Sequence, residues 1–125
     1  MAVLYKTIKL VGTKGSEEVE ALFDTGATYS CIRRDLAERL ETILPLPEPI
    51  RLETAEQGRR VEVRERVILD FWFKGCRFSD EFLVVPSLSD SVIVGAKTMQ
   101  AWRMKLDLEA EDVVIDPRAT RLRLA

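Results

Sequence analysis

The chain has 125 residues, 46% of them hydrophobic and 32% charged, with a formal net charge of −2. That length builds one domain, 1–125, with a sizeable core, and the near-neutral balance supplies no global basic field for nucleic acid. No apolar run reaches the length of a membrane span, and the absence of histidine removes Ser-His-Asp and Cys-His nucleophilic schemes and any His-ligated metal.

Lys6 and Lys9 interrupt the apolar part of the first twelve residues, so no signal peptide is expected and the expected location is cytoplasmic. Cys31 and Cys76 lie far apart with no metal-ligand spacing. Both read as small buried or half-buried residues, and nothing in the spacing supports a disulfide. What remains for chemistry is carboxylates, hydroxyls, lysines and arginines.

Val3 to Val11 is predicted as a first strand, with Leu4, Ile8 and Leu10 on one face and Lys6 as the exception. Residues 12–16 turn the chain, and Glu17 to Phe23 returns it as a hairpin. Ser30 is the predicted N-cap of a helix running to Leu40, with Ile32, Leu36 and Leu40 on one face. The stretch Leu44-Pro45-Leu46-Pro47-Glu48-Pro49 forbids helix and reads as an extended connector. Ile50 to Thr54 and Val61 to Phe73 flank a polar stretch and form a long hairpin with Gly58 near its tip. That tip is either an exposed charged hairpin or a flap over a cleft. Lys74-Gly75 turns into a strand from Cys76 to Val85. Val92-Ile93-Val94-Gly95 is a short buried strand ending in glycine, followed by a helix from Ala96 to Met104 with Met99 and Trp102 inward. Lys105 to Leu108, Asp112 to Ile115 and Thr120 to Leu124 complete the predicted strands. Many short strands, two short helices and frequent turns define a mainly β domain.

One stretch resists a purely structural reading. The apolar run Val19 to Phe23 ends abruptly in Asp24-Thr25-Gly26. An acid where a buried strand meets a turn is costly unless its charge has a partner or a use. The bland alternative is an ordinary turn whose Asp accepts local backbone N–H bonds.

With these residues in view, the chain resembles the single-domain, retropepsin-like aspartic proteases. Phe23-Asp24-Thr25-Gly26-Ala27-Thr28, continued by Ser30 and Ile32, matches the family's catalytic motif. Thr54-Ala55-Glu56-Gln57-Gly58 resembles its flap segment. Val92-Ile93-Val94-Gly95 before a helix matches its later apolar-apolar-Gly motif. The resemblance implies a closed β-barrel-like acid protease lobe with one or two short helices and a flap hairpin, active as a C2 homodimer. It implies that Asp24 is catalytic, with its second carboxylate supplied by the Asp24 of another copy. By the same resemblance Thr25 hydrogen-bonds across the dimer, Gly26 lets backbone N–H approach the carboxylate, Ala27 completes the turn, and Thr28 offers a hydroxyl to the outer carboxylate oxygen. Ala55, Glu56, Gln57, Gly58 and Arg59 would cover the substrate. Val94 and Gly95 would form the crossing beneath the active turn, against the alternative that Gly95 merely ends a strand. The terminal strands would build much of the dimer interface.

The resemblance implies no metal and no organic cofactor, and a peptide or protein substrate without nucleic acid or membrane. The charged flap tip and the long stretches at 44–49 and 105–112 depart from a minimal viral lobe and point to a cellular or prokaryotic member. Two other readings stand beside the protease: an inactive retropepsin-like domain serving as a dimerisation or peptide-binding module, and an unrelated β-barrel with a chance turn motif.

Overall fold

The structure, a computed structural model, describes residues 2–53 and 59–124. Strand β1 (Val3–Val11) pairs antiparallel with β2 (Ser16–Asp24), in a register running from Val3 opposite Asp24 to Val11 opposite Ser16. Alternation decides their faces: Ile8, Leu10, Ala21 and Phe23 turn into the core, because successive strand side chains point to opposite sides.

The remaining strands are β3 (Cys31–Ile32), β4 (Leu44–Glu53), β5 (Arg60–Phe73), β6 (Cys76–Val84), β7 (Val92–Val94), β8 (Lys105–Asp107) and β9 (Asp112–Val114). Six of them close into a barrel in the order β1-β2-β7-β3-β6-β5, sealed where Lys9 to Val11 of β1 pair with Asp70 to Trp72 of β5. Long β5 makes this closure possible, since it pairs with β4 at its start, β1 near its end and β6 from Arg66 to Phe73. Of its odd-numbered residues Val63, Val67, Leu69, Phe71 and Phe73 are buried, while Val61 and Glu65 are half-buried. Strand β7 lies parallel to β2 and antiparallel to β3, which carries the chain past the end of the Asp24 strand.

Aromatic packing fills the barrel. Phe71 lies 5.3 Å from Phe78 and 6.1 Å from Phe82, Trp102 meets Phe78 edge-on at 5.5 Å, and Phe23 packs on Phe73 at 5.4 Å. Complete burial of each Phe is worth about 2–3 kcal/mol. Phe23, the residue directly before Asp24, is thus anchored in the core. Cys31 is buried, Cys76 is half-buried, and both are free thiols.

The structure corrects several expectations. Ser30 does not cap a helix: Cys31 and Ile32 form β3, and helix α1 starts only at Arg34 (Arg34–Leu40), with Arg33 at the cap position and no side-chain cap bond. The pull of β6 and β7 on Cys31 and Ile32 outweighs the helical spacing of Ile32, Leu36 and Leu40. The proline-rich stretch is extended as expected but belongs to β4, whose pairing with β5 shifts register between Pro45 and Ile50. Prolines lack the N–H a ladder needs, and an outer strand tolerates that loss. Helix α2 (Ala96–Ala101) is shorter than predicted. It stops because Arg103 enters the left-handed region (φ 58°) and the Met104 N–H turns back to the Met99 carbonyl at 2.8 Å. The predicted final strand is not formed. Pro117–Thr120 is a 3-10 turn, wound by Asp116 accepting the Arg118 N–H at 3.0 Å. Beyond it Leu122 and Leu124 stand 80% and 102% exposed, since a strand needs a neighbour and the tail has no strand partner among the described residues. The expected hairpin tip at 54–58 lies outside the described residues.

A polar clamp joins the first hairpin to α1. Glu41 accepts the Thr13 hydroxyl, the Thr13 N–H at 3.1 Å and the Thr42 N–H at 3.0 Å. Gly12 makes the approach possible, since a Cβ there would stand 1.9 Å from the Leu40 carbonyl oxygen. The Thr13 hydroxyl first, then the two backbone donors, hold the Glu41 carboxyl below its usual range. Its folded value thus lies under its unfolded value, so the contribution is complete above the unfolded value and is lost as pH falls through the folded one. We expect Glu41→Gln to lower the melting temperature by a few degrees at most at neutral pH. The deficit should close as the solution is acidified below the ordinary glutamate range, read by thermal denaturation at a series of pH values.

Candidate active site

Asp24 is the last residue of β2, and the chain turns at once through Thr25 and Gly26. The Gly26 N–H donates to Asp24 Oδ1 at 2.8 Å, and the Ala27 N–H donates to the Asp24 carbonyl at 3.2 Å. The carboxylate is thus fixed by its own turn while remaining partly open to solvent. Thr25 faces the N-terminal segment: its N–H donates to the Ala2 carbonyl at 3.0 Å, and its hydroxyl accepts the Ala2 N–H at 2.9 Å. Thr28 is exposed, and among the described residues its hydroxyl makes no bond to Asp24.

The turn rests on α2. The Ala96 N–H donates to the Ala27 carbonyl at 2.7 Å and the Lys97 N–H to the Thr28 carbonyl at 3.1 Å. These helix donors have no partner within the helix, so the turn itself caps α2. Gly95, at the cap position, is buried, and a Cβ there would lie 2.5 Å from the Tyr29 carbonyl oxygen and 2.9 Å from that of Ala27. The close approach requires glycine, so Gly95 is a crossing and not simply a strand end. Val94 is buried beside it and pairs with Phe23.

Sequence reasoning missed a second apolar cluster. Buried Cys31, Val63, Leu83 and Val85 carry half-buried Tyr29, Ile50, Leu52, Val61, Leu88 and Ile93. Ile93 pairs with Leu22, two residues before Asp24, and Ile50, Leu52 and Val61 belong to the stem of the β4–β5 hairpin. An apolar shelf therefore runs from the Asp24 turn toward that hairpin. The signal for it lay in the alternation of β4 and β5, whose second buried face needed a partner. Beside the turn, the Lys97 ammonium sits 4.7 Å over the Tyr29 ring. Of the predicted hairpin-tip residues, Arg59 is exposed, while Ala55, Glu56, Gln57 and Gly58 lie outside the described residues.

A closed barrel that presents an acid turn on a helix-supported crossing defines an acid-protease lobe. Residues 10–98 match the model of a family described as aspartyl protease, and the chain belongs to that family. Solved structures agree on the fold. The retroviral protease-like domain of Ddi1 from Leishmania major superposes with a TM-score of 0.63 at 19% identity, covering 94% of this chain and 87% of that one. The EIAV protease, complexed with the inhibitor HBY-793, gives a TM-score of 0.55 at 19% identity, covering 79% and 86%. A comparison with curated sequences gave no match.

Two measurements check this geometry. Gly95→Ala sets a methyl group against backbone that cannot step aside, and should destabilise the chain by about 1–3 kcal/mol, read by urea denaturation. Burial raises the Cys31 thiol to about 11, so at pH 8 it holds almost no thiolate, the reactive form. Iodoacetamide should modify half-buried Cys76 first and spare Cys31 until the chain is unfolded, as peptide mass spectrometry would show.

Proposed function

We propose that this chain is an aspartic endopeptidase acting as a C2 homodimer, with one Asp24 from each copy on either side of a single water. One carboxylate takes a proton from the water, which attacks the scissile carbonyl carbon. The other, protonated, donates a hydrogen bond to the carbonyl oxygen. As the tetrahedral intermediate collapses, the C–N bond breaks and the leaving nitrogen takes up a proton. Two carboxylates so close hold one proton between them, so the titration belongs to the pair. The carboxylates perform the activation, and the reading calls for neither metal nor organic cofactor.

The observation that carries this reading is the Asp24 turn, fixed by Gly26 and propped from below by Ala96 and Lys97. The chain contains one Asp-Thr-Gly, so the paired acid must come from a second copy. Two features favour such a partner. Strand β1 pairs with β2 throughout, yet with β5 only over Lys9 to Val11, which leaves Val3 to Ile8 with an open edge among the described residues. Exposed Leu122 and Leu124 alternate with Arg121 and Arg123 in strand-like spacing. In the dimer these segments pair with their symmetry mates, and the Thr25 hydroxyl exchanges Ala2 for its counterpart across the axis. The apolar shelf receives side chains of an extended peptide beside the paired strands β4 and β5. A peptide bearing large apolar residues around the scissile bond fits it.

The test compares wild type with Asp24→Asn on a denatured protein substrate from about pH 3 to about pH 8, the interval in which a carboxylate pair passes through its singly protonated state. Cleavage should peak on the acid side, fall as the second proton leaves, and drop at least about a hundredfold in the variant. Equilibrium sedimentation should show a dimer, and specific activity should decline on dilution through its dissociation range. Cleavage retained by Asp24→Asn, or full activity in a monomer, would contradict the mechanism. A dimer without peptidase activity would favour the binding-module reading.

A further inference from the structure

Only two polar residues are buried among the described residues, Ser30 and Thr98, at 3% and 1% exposure. They touch each other: the two hydroxyl oxygens lie 2.6 Å apart. Ser30 also accepts the Gly95 N–H at 3.0 Å, and Thr98 Oγ1 lies 2.6 Å from Asp80 Oδ2. These contacts fix the direction of every proton. A carboxylate can only accept, so Thr98 donates to Asp80. Its remaining lone pairs then accept the Ser30 hydroxyl, and Ser30 in turn accepts from Gly95. The relay runs from the Gly95 N–H through Ser30 and Thr98 to Asp80. Asp80 is itself tied down, since its other oxygen accepts the Glu81 N–H at 2.8 Å.

We propose that Asp80 and Thr98 are positioning residues for the reaction at Asp24, holding the α2 entrance and the catalytic turn in one geometry through Ser30 and Gly95. The inference rests on the aspartic peptidase reading for its kinetic part only. The turn is supported by the amides of Ala96 and Lys97, and these follow directly on Gly95. No side chain caps α2, so the relay is what ties the helix start to the barrel wall at β6. Without an acceptor at position 80, the two hydroxyls can rotate and reverse, and the Gly95 amide no longer has one fixed partner. A shift of a few tenths of an ångström there moves the Ala27 and Thr28 carbonyls, and Asp24 with them. Catalysis is sensitive to such displacement because the reacting groups must meet in a narrow range of geometry.

The experiment uses the full chain and four variants: Thr98→Val and Thr98→Ser, Asp80→Leu and Asp80→Asn. Amide hydrogen exchange at Gly95, Ala96 and Lys97 is read beside that of Leu69 in the core, together with kcat and KM on a peptide substrate. Thr98→Val keeps the shape and removes the hydroxyl; Asp80→Leu removes the acceptor at a half-buried position. Both should speed exchange at the three amides about tenfold relative to Leu69 and lower kcat about tenfold, with KM within about twofold. Thr98→Ser keeps the hydroxyl and should hold both quantities near wild type, whereas Asp80→Asn keeps one of the two acceptor oxygens that serve Thr98 and Glu81 and should fall between wild type and Asp80→Leu. Unchanged exchange at the three amides, or faster exchange with unchanged kcat, overturns the proposal. So does failure of Thr98→Ser to hold the wild-type values. A wild-type chain without peptidase activity overturns the enzymatic reading instead, and exchange alone then decides whether the relay positions the turn.

Discussion

The structure depends on the contact between the Asp24 turn and the start of α2. A strand that ends in a carboxylate, followed by a sharp turn, exposes backbone carbonyls with no sheet partner. A helix start has the opposite shortage, N–H groups with no acceptor. Placed together, each satisfies the other, as the bonds from Ala96 to Ala27 and from Lys97 to Thr28 show. The contact is geometrically strict, because it brings two backbones within the volume of one methyl group at Gly95. The barrel serves this juxtaposition: parallel pairing of β7 with β2 delivers Gly95 directly beside the end of the Asp24 strand.

Such an arrangement gives the acid a defined orientation without burying it. Gly26 donates to one carboxylate oxygen while the residue keeps partial solvent access. A deeply buried lone carboxylate would neutralise or demand a cationic partner, and neither would suit the proton exchange proposed for Asp24. Behind the turn stand Phe23 in the core and the buried Ser30–Thr98 pair, which add to the direct bond from Gly26 to the acid. Buried hydroxyls are acceptable in an apolar barrel only when every donor finds an acceptor, and the route to Asp80 meets that condition.

The strands β1, β2, β5, β6 and β7 were legible in the sequence because each is a period-two or continuous apolar run bounded by glycine or charge. The Asp24 motif was legible because an acid closing an apolar strand is a local contradiction. Ser30 was misread for the same reason it matters. Its sequence context, a hydroxyl before a helical pattern, is that of a cap, and only the tertiary fold reveals that Cys31 and Ile32 pair with β6 and β7. Thr98 carried no signal, since a threonine inside a helix usually faces solvent. Asp80 looked like an ordinary strand charge. Residues that act through contacts some 18 to 68 positions apart in the chain cannot be recognised from their neighbours. The tail failed differently: its alternation of arginine and leucine has the spacing of a strand, but it has no strand partner among the described residues.

The proposed dimer would answer three features of the lobe together: its one Asp-Thr-Gly, the open edge on β1 and, among the described residues, a tail without a strand partner. An open edge is an aggregation hazard that proteins ordinarily blunt with charge. Here Arg121 and Arg123 occupy alternate positions of the tail, and Lys6 lies in the open stretch of β1, so uncontrolled stacking of edges is discouraged while a symmetric pairing that separates these charges is still allowed. A twofold axis through the Asp24 turns would satisfy the edges, bury the leucines and supply the second carboxylate in one step. In the proposed dimer, then, the stability of the interface and the assembly of the active site are one equilibrium. Activity would follow protomer concentration rather than the folding of the lobe, since the barrel closes within each chain through β1 and β5.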